Sequence, residues 1–188
     1  MATYRVRIRG IAPYIQHRYP MPEEEEQFRE WCESQGLDAK KTSNIEASWY
    51  RNDAGAFIPF EHIKQALVGA GKGLKIGGKG NATWNNVLKV AAAVLPAEVP
   101  FSPPKEKFDD VHRAYVKVGM ARVLRERPCF NKGWETEFQI EADSSEVDEV
   151  NVKRFVERAG RRGIGDYRPE KGGSFGTFEV VEFERIEE

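Results

Sequence analysis

Cysteine is nearly absent from this chain: its 188 residues hold only Cys32 and Cys129. Two thiols far apart, in no CxxC or histidine-associated spacing, make neither a disulfide framework nor a zinc site, so free thiols and no metal or other cofactor are expected. Long apolar runs are missing too. The longest, Val87 to Leu95, is interrupted by Lys89 and falls far short of the roughly 20 residues a bilayer requires. Met1 to Arg9 lacks the apolar centre of a secretory signal, so a cytoplasmic location and no membrane partner are expected. An excess of charge is lacking as well. A net charge of -1 argues against a uniformly basic nucleic-acid binder.

The charge is nevertheless strongly segregated. His62 to Ala97 contains no Asp or Glu but holds Lys64, Lys72, Lys75, Lys79 and Lys89. A second basic stretch carries Lys153, Arg154, Arg158, Arg161, Arg162 and Arg168 against only Glu157 and Asp166. Acid collects at Glu23 to Glu26, Glu141 to Glu149 and Glu182 to Glu188. Such runs are either solvated faces or electrostatic footprints. Both basic stretches here contain or adjoin glycine clusters.

Tyr4, Val6 and Ile8 alternate with Arg5, Arg7 and Arg9, the period of a half-buried strand. Pro22 followed by four glutamates starts a helix, with Phe28, Trp31, Cys32 and Gln35 on one face and Gly36 at its end. A hairpin over Trp49 to Ile58 turns at Asn52 to Gly55. After Pro59 the positions Ile63, Ala66, Leu67 and Ala70 give a second amphipathic helix. A short helix is expected over Thr83 to Ala93, leading into Val94 and Leu95, and a proline-rich connection from Pro96 to Asp110. Ala114 to Arg125 reads as one long strand, with Trp134, Thr136, Phe138 and Ile140 on the inner face of its hairpin partner. Val152, Phe155, Val156 and Ala159 mark a helix, and Phe175 to Phe183 the last strand.

With two insertions set aside, at about residues 11–58 and 72–112 around the first core helix, the order is β-α-β-β-α-β. That is an α+β, ferredoxin-like (RRM-like) core in a single domain over 1–188. The stretch GIGDYRPEKGGSFGTFEV, Gly163 to Val180, lies between the last helix and last strand. Together with the opening VRIRGIAPYIQHR and the large insertions, it resembles the RAMP superfamily, the ferredoxin-like proteins of CRISPR effector complexes. The chain is also similar to short bacteriophage proteins of unassigned function, which would place it in a bacterial or phage-infected cell. In RAMP proteins a loop of this kind lies against the RNA backbone. The matching positions are Gly163, Gly165, Arg168, Lys171, Gly172, Gly173 and Gly176.

From the residues themselves, glycines allow successive backbone N–H groups to face an anion, and Arg161, Arg162, Arg168 and Lys171 add cationic donors. The competing reading has Gly163 and Gly165 capping the helix while Gly172 and Gly173 form a tight turn. GLKIGGKG, Gly73 to Gly80, fits the first seven positions of a phosphate loop but continues with Gly80 instead of Ser or Thr and follows a helix, so nucleotide binding is not expected. Lys72, Lys75 and Lys79 form either a basic arm over a polyanion or a surface loop. Arg5, Arg7 and Arg9 are expected to meet Glu135, Glu137 and Glu141 of the neighbouring third strand and, lacking RRM-type aromatics, read as a salt-bridged surface. His17, with Tyr14, Arg18 and Tyr19 nearby, is a candidate for acid–base catalysis set against a plain turn residue, while His62 on a helix flank and His112 in a loop read as structural or exposed.

The expected function is therefore a non-catalytic, single-stranded nucleic-acid-binding protein for RNA or DNA, working as a homo-oligomer along the strand or as a subunit of a larger nucleoprotein complex. Two alternatives stand beside it: a phage-type protein-interaction module acting on a host complex such as a CRISPR effector, and a metal-independent endoribonuclease.

Overall fold

A computed structural model describes residues 1–78 and 80–186. The chain runs β1 (Ala2–Gly10), β2 (Tyr14–Ile15), α1 (Pro22–Ser34), β3 (Arg51–Asn52), β4 (Gly55–Pro59), α2 (Phe60–Ala70), α3 (Trp84–Ala91) and β5 (Ala92–Leu95). It continues with β6 (Glu98–Pro100), β7 (Asp110–Val118), β8 (Ala121–Phe130), β9 (Glu135–Ala142), α4 (Glu149–Arg162), a 3-10 turn at Pro169–Lys171, and β10 (Phe178–Ile186).

The alternation of β1 has the expected consequence. Tyr4, Val6 and Ile8 are buried, and β1 lies inside an antiparallel sheet of order β10-β1-β9-β5. Helices α2 and α4 pack side by side over the inner face. Val6, Ile8, Phe138, Ile140, Leu67 and Phe155 fill the space between them, each full burial contributing about 1.5–3 kcal/mol. On the outer face Arg5 pairs with Glu184, Arg7 with Glu182 at 3.2 Å, and Arg9 with Glu135 at 2.7 Å. The expected partners are corrected in part: of Glu135, Glu137 and Glu141 on β9 only Glu135 forms an ion pair among the described residues, and the other acids come from β10, which lies on the opposite side of β1. The core order β1-α2-β5-β9-α4-β10 is consistent with a ferredoxin-like α+β class.

One strand assignment is corrected. Ala114 to Arg125 is not a single strand paired with the Trp134 segment. It is the facing arms of the β7–β8 hairpin, which turns at Gly119 with φ +60. Apolar–polar alternation runs through a two-residue turn almost undisturbed, so periodicity alone does not show the reversal. β9 pairs instead with β1 and with the four-residue β5, which takes the second core position. The last strand also starts later than expected, at Phe178.

The helices that frame the core follow local rules. Asp148 accepts the Asn151 N–H at 2.8 Å and caps α4. Gly160, inside α4, has no room for a Cβ because the Phe178 carbonyl lies against it. That approach brings β10 across the helix. α1 is different. Its Glu24 carboxylate accepts the Met21 N–H at 2.6 Å, but Cys32 is its only buried residue and Trp31 remains half exposed. Among the described residues no helix is long and apolar enough to cross a membrane.

Candidate nucleic-acid interface

The glycine-rich loop leaves α4 through Gly163 at φ +75 and turns again at Gly165, Gly172 and Gly176, at φ +76, +81 and +70. What approaches these glycines is the chain itself. A Cβ at Gly165 would meet the Ile15 carbonyl and the Tyr14 ring, one at Gly176 the Ile164 carbonyl, and one at Gly163 the Phe175 oxygen at 2.8 Å. Gly173 does not have a positive φ, yet it too has no space, because the Tyr167 carbonyl lies over it. Only Gly172 faces open space.

The loop's N–H groups are largely spent internally. Gly176 donates to Pro13 O at 2.7 Å, Ile164 to Gly176 O at 3.0 Å, Phe175 to Tyr167 O at 3.1 Å and Gly173 to Arg168 O at 3.1 Å. Arg168 donates to the Gly165 carbonyl at 2.8 Å and reaches Glu170 at 3.3 Å. Arg162 holds the other Glu170 oxygen at 2.6 Å. Burial pushes the Glu170 carboxyl up, but these two guanidinium groups outweigh it and leave its pKa below the usual range. Arg161 and Lys171 are exposed and make no ion pair among the described residues. They are the loop's available cations.

The lysine segment folds back on itself, with Ile76 donating to Ala82 O and Trp84 to Leu74 O, both at 3.0 Å. Lys75 reaches only Asn81, at 3.4 Å. Among the described residues no hydrogen bond or ion pair joins Lys72 or Lys75 to the glycine-rich loop. Lys79 lies outside the described residues.

His17 is drawn into the loop's neighbourhood. Its Nδ1 lies 3.6 Å from Asp166 Oδ2, and the Arg127 Nε is 2.8 Å from the same oxygen. His17, followed by the Tyr167 N–H and Arg127, holds the Asp166 carboxyl below its usual range against the opposing effect of burial. The Arg127 side chain is only 8% exposed and its guanidinium lies 4.8 Å above the Tyr167 ring. Its Nη1 has no hydrogen-bond partner among the described residues, and the close approach of Nε to Asp166 is an ion pair without hydrogen-bond alignment. His112 stands opposite Arg127 in the β7–β8 ladder and packs edge-on against Tyr167 and Phe175. Burial first, then Arg127, pushes the His112 imidazole down.

These groups open on a cleft of about 740 Å³ between the segment after β2, the connection following α1, and β8. Six basic side chains line it: His17, Arg18, Arg29, Lys40, Arg125 and Arg127. Arg18 is committed to Glu24 at 2.8 Å and to the Ala47 carbonyl at 2.9 Å. Arg29, Lys40 and Arg125 make no ion pair among the described residues. Of the two acids in the wall, Glu25 and Glu126, the latter is held by Arg113 at 2.7 Å. The cleft is therefore an open cationic groove, suited to a chain of phosphates.

No protein-family model matches the chain. No curated protein matches it either. Its fold is similar to a chain in the cryo-EM structure of a Type III-B Cmr-beta complex bound to cognate target RNA, with a TM-score of 0.57 at 11% identity. The likeness covers 99% of this chain and 61% of that one, so the protein spans less than two thirds of its neighbour's length. A Cas6 product complex matches at a TM-score of 0.32 and 12% identity over 94% of this chain and 50% of that one, too low to carry an argument. The likeness to the Cmr-beta chain, at 11% identity, is one of fold.

The residues that define the cleft differ from those singled out in the sequence. Arg29, Lys40, Arg125 and Arg127 were not among them. Arg125 and Arg127, two apart on a strand, share one face, but that signal is masked when the strand is taken to end at Arg125. Asp166, visible only as a minority acid in a basic stretch, turns out to be the shared partner of His17 and Arg127. His62 is structural. Its Nδ1 meets the Tyr14 hydroxyl at 2.7 Å, and burial pushes its pKa down to about 4.

Proposed function

We propose that this protein binds single-stranded nucleic acid, RNA foremost, by laying the strand's phosphates along the cationic cleft beside the glycine-rich loop. The observation that carries the reading is the set of uncommitted cations in that cleft, Arg29, Lys40 and Arg125, around an almost buried Arg127 with a free guanidinium nitrogen. On this reading the loop's glycines position Asp166 and Tyr167 against Arg127, while Arg161 and Lys171, exposed and without ion pairs among the described residues, add positive charge at the loop itself. Arg162 and Arg168 act through Glu170 to hold the loop's shape. Lys72 and Lys75 belong to a separate basic arm reaching further along the strand. The fold neighbour, a chain of a complex bound to target RNA, supports RNA as the first ligand to test and a place within a larger nucleoprotein assembly.

Fluorescence anisotropy with a labelled single-stranded RNA, repeated over a series of salt concentrations, tests this. The parent binds at low ionic strength, with log affinity falling by about 0.7 per log unit of salt for each phosphate contact. Replacing Arg29, Lys40 and Arg125 together by Gln lowers that slope by up to about 2. Absence of both binding and salt dependence in the parent overturns the proposal.

A second reading, endoribonuclease activity, is favoured by the 3.6 Å approach of His17 to Asp166. A carboxylate-oriented imidazole can take the proton of a ribose 2′-hydroxyl whose oxygen attacks the adjacent phosphorus; the P–O5′ bond breaks, leaving a 2′,3′-cyclic phosphate and a 5′-oxygen that takes a proton from water, with nearby guanidinium groups balancing the developing charge. Incubation with labelled hairpin RNA in EDTA decides it. Uncut RNA, or equal cutting by His17→Ala, removes the catalytic role.

A further inference from the structure

One exposed aromatic in the cleft has no structural task. Tyr19 is 82% exposed, lines the same groove as Arg127, and its hydroxyl has no hydrogen-bond partner among the described residues. Its ring is nevertheless held in place, stacked on His17 with centroids 5.5 Å apart and planes 23° from parallel. The backbone on either side is fixed as well. The Arg18 N–H donates to Ser48 O at 2.9 Å, and the Met21 N–H donates to Glu24 at 2.6 Å. A large apolar ring oriented on one side and bare on the other is preorganised for a second stacking partner, because the entropy of fixing it is already spent.

The partner's chemistry follows from the surroundings. His17 connects Tyr19 to Asp166, and Asp166 connects to Arg127, so the free ring face and the buried guanidinium belong to one continuous wall. A ligand satisfying both is a planar π-system attached to an anion, and Arg29, Lys40 and Arg125 in the same groove favour several anions in series. We propose that Tyr19 is a stacking platform for one unpaired nucleobase of the bound strand, next to a phosphate held near Arg127. The inference rests on the nucleic-acid reading above and deepens it. Bases bind here through their faces, so the subsite tolerates any base, favours purines for their larger surface, and requires the nucleotide to be unpaired.

The test compares two fluorescein-labelled RNA strands of about a dozen nucleotides, an oligoadenylate and a strand of the same length with every base replaced by an abasic ribose. The parent, Tyr19→Ala and Tyr19→Trp are titrated with each. Tyr19→Ala is expected to weaken oligoadenylate binding about five- to 150-fold, with abasic binding and the salt slope unchanged, while Tyr19→Trp retains the parent's preference. Equal loss on both strands, or no loss on either, overturns the stacking role while leaving phosphate binding intact. If the parent binds neither strand at low salt, the nucleic-acid reading falls and this proposal falls with it. The replaced side chain lies outside the core, so a thermal melt matching the parent's is expected throughout.

Discussion

Replacing Gly176 by alanine separates the two explanations for a glycine-rich loop, close approach of a ligand or close approach of the protein's own backbone. Gly176 sits at φ +70, where its Cβ would overlap the Ile164 carbonyl. It also ties the loop together, donating to Pro13 O at 2.7 Å and accepting from Ile164 N at 3.0 Å. The left-handed conformation costs an L-residue about 1–2 kcal/mol, and forcing apart a packed backbone contact costs about 1–3 kcal/mol. The variant is therefore expected to lose roughly 2–5 kcal/mol of a folding stability that in proteins of this kind is about 5–15 kcal/mol.

Two neighbours separate the contributions. Gly172, at φ +81 in open space, carries only the conformational cost, and Gly173, without a positive φ but beneath the Tyr167 carbonyl, carries only the overlap. Urea unfolding of the three alanine variants with a common slope measures each loss. For Gly176→Ala the melting temperature should fall by roughly 4–20 °C. If Gly176→Ala unfolds with the parent and loses only nucleic-acid binding, the ligand occupies the space assigned here to Ile164, and the packing account is refuted.

His62, with a pKa near 4 when folded, stays neutral where the unfolded chain already takes up a proton. Stability is complete above about pH 6.5 and declines as the pH falls toward 4, by about 3 kcal/mol from this group. Urea midpoints across that window show the slope, and His62→Gln, which can still bond Tyr14, should flatten it; an unchanged slope contradicts the assignment. Asp166→Asn leaves the Arg127 charge nearly buried without its counterion and should cost about 1–3 kcal/mol in the same unfolding assay; a stable variant would show that solvent already neutralises Arg127. Arg161→Ala with Lys171→Ala should reduce the salt slope of RNA binding by up to about 1.4 without altering the melt. Arg168→Ala, in contrast, should lower the melt because it releases the Gly165 carbonyl and Glu170; the reverse pattern would make Arg168 a ligand contact and Arg161 and Lys171 irrelevant.

Much of the fold was legible in neighbouring residues. The alternation of Tyr4, Val6 and Ile8 identified a strand with one buried face, and Ile63, Ala66, Leu67 and Ala70 identified the buried stripe of α2. The stripe of Val152, Phe155, Val156 and Ala159 did the same for α4. Those signals are local, because side-chain direction repeats every two residues in a strand and every 3.6 in a helix. That β1's outward arginines meet glutamates was also readable, but which glutamates was not: Arg5 and Arg7 pair with Glu184 and Glu182 of β10 and only Arg9 with the expected Glu135.

What packing alone decided was who meets whom. β9 carries a clear period, but nothing in it distinguishes the β7–β8 hairpin from β1 and β5 as partners, and the four residues of β5 are too few to announce a core strand. The cleft depends on the same kind of choice. His17 comes from the segment after β2, Arg127 from β8 and Asp166 from the glycine-rich loop, and they converge because Gly165 lets that loop close over Tyr14 and Ile15. The sequence by itself determined the glycines, the charges and the periodic faces, properties carried by single residues and short windows. Only the tertiary structure decided that the glycines receive the protein's own backbone and that the uncommitted cations gather beside them, because both follow from contacts between segments distant along the chain.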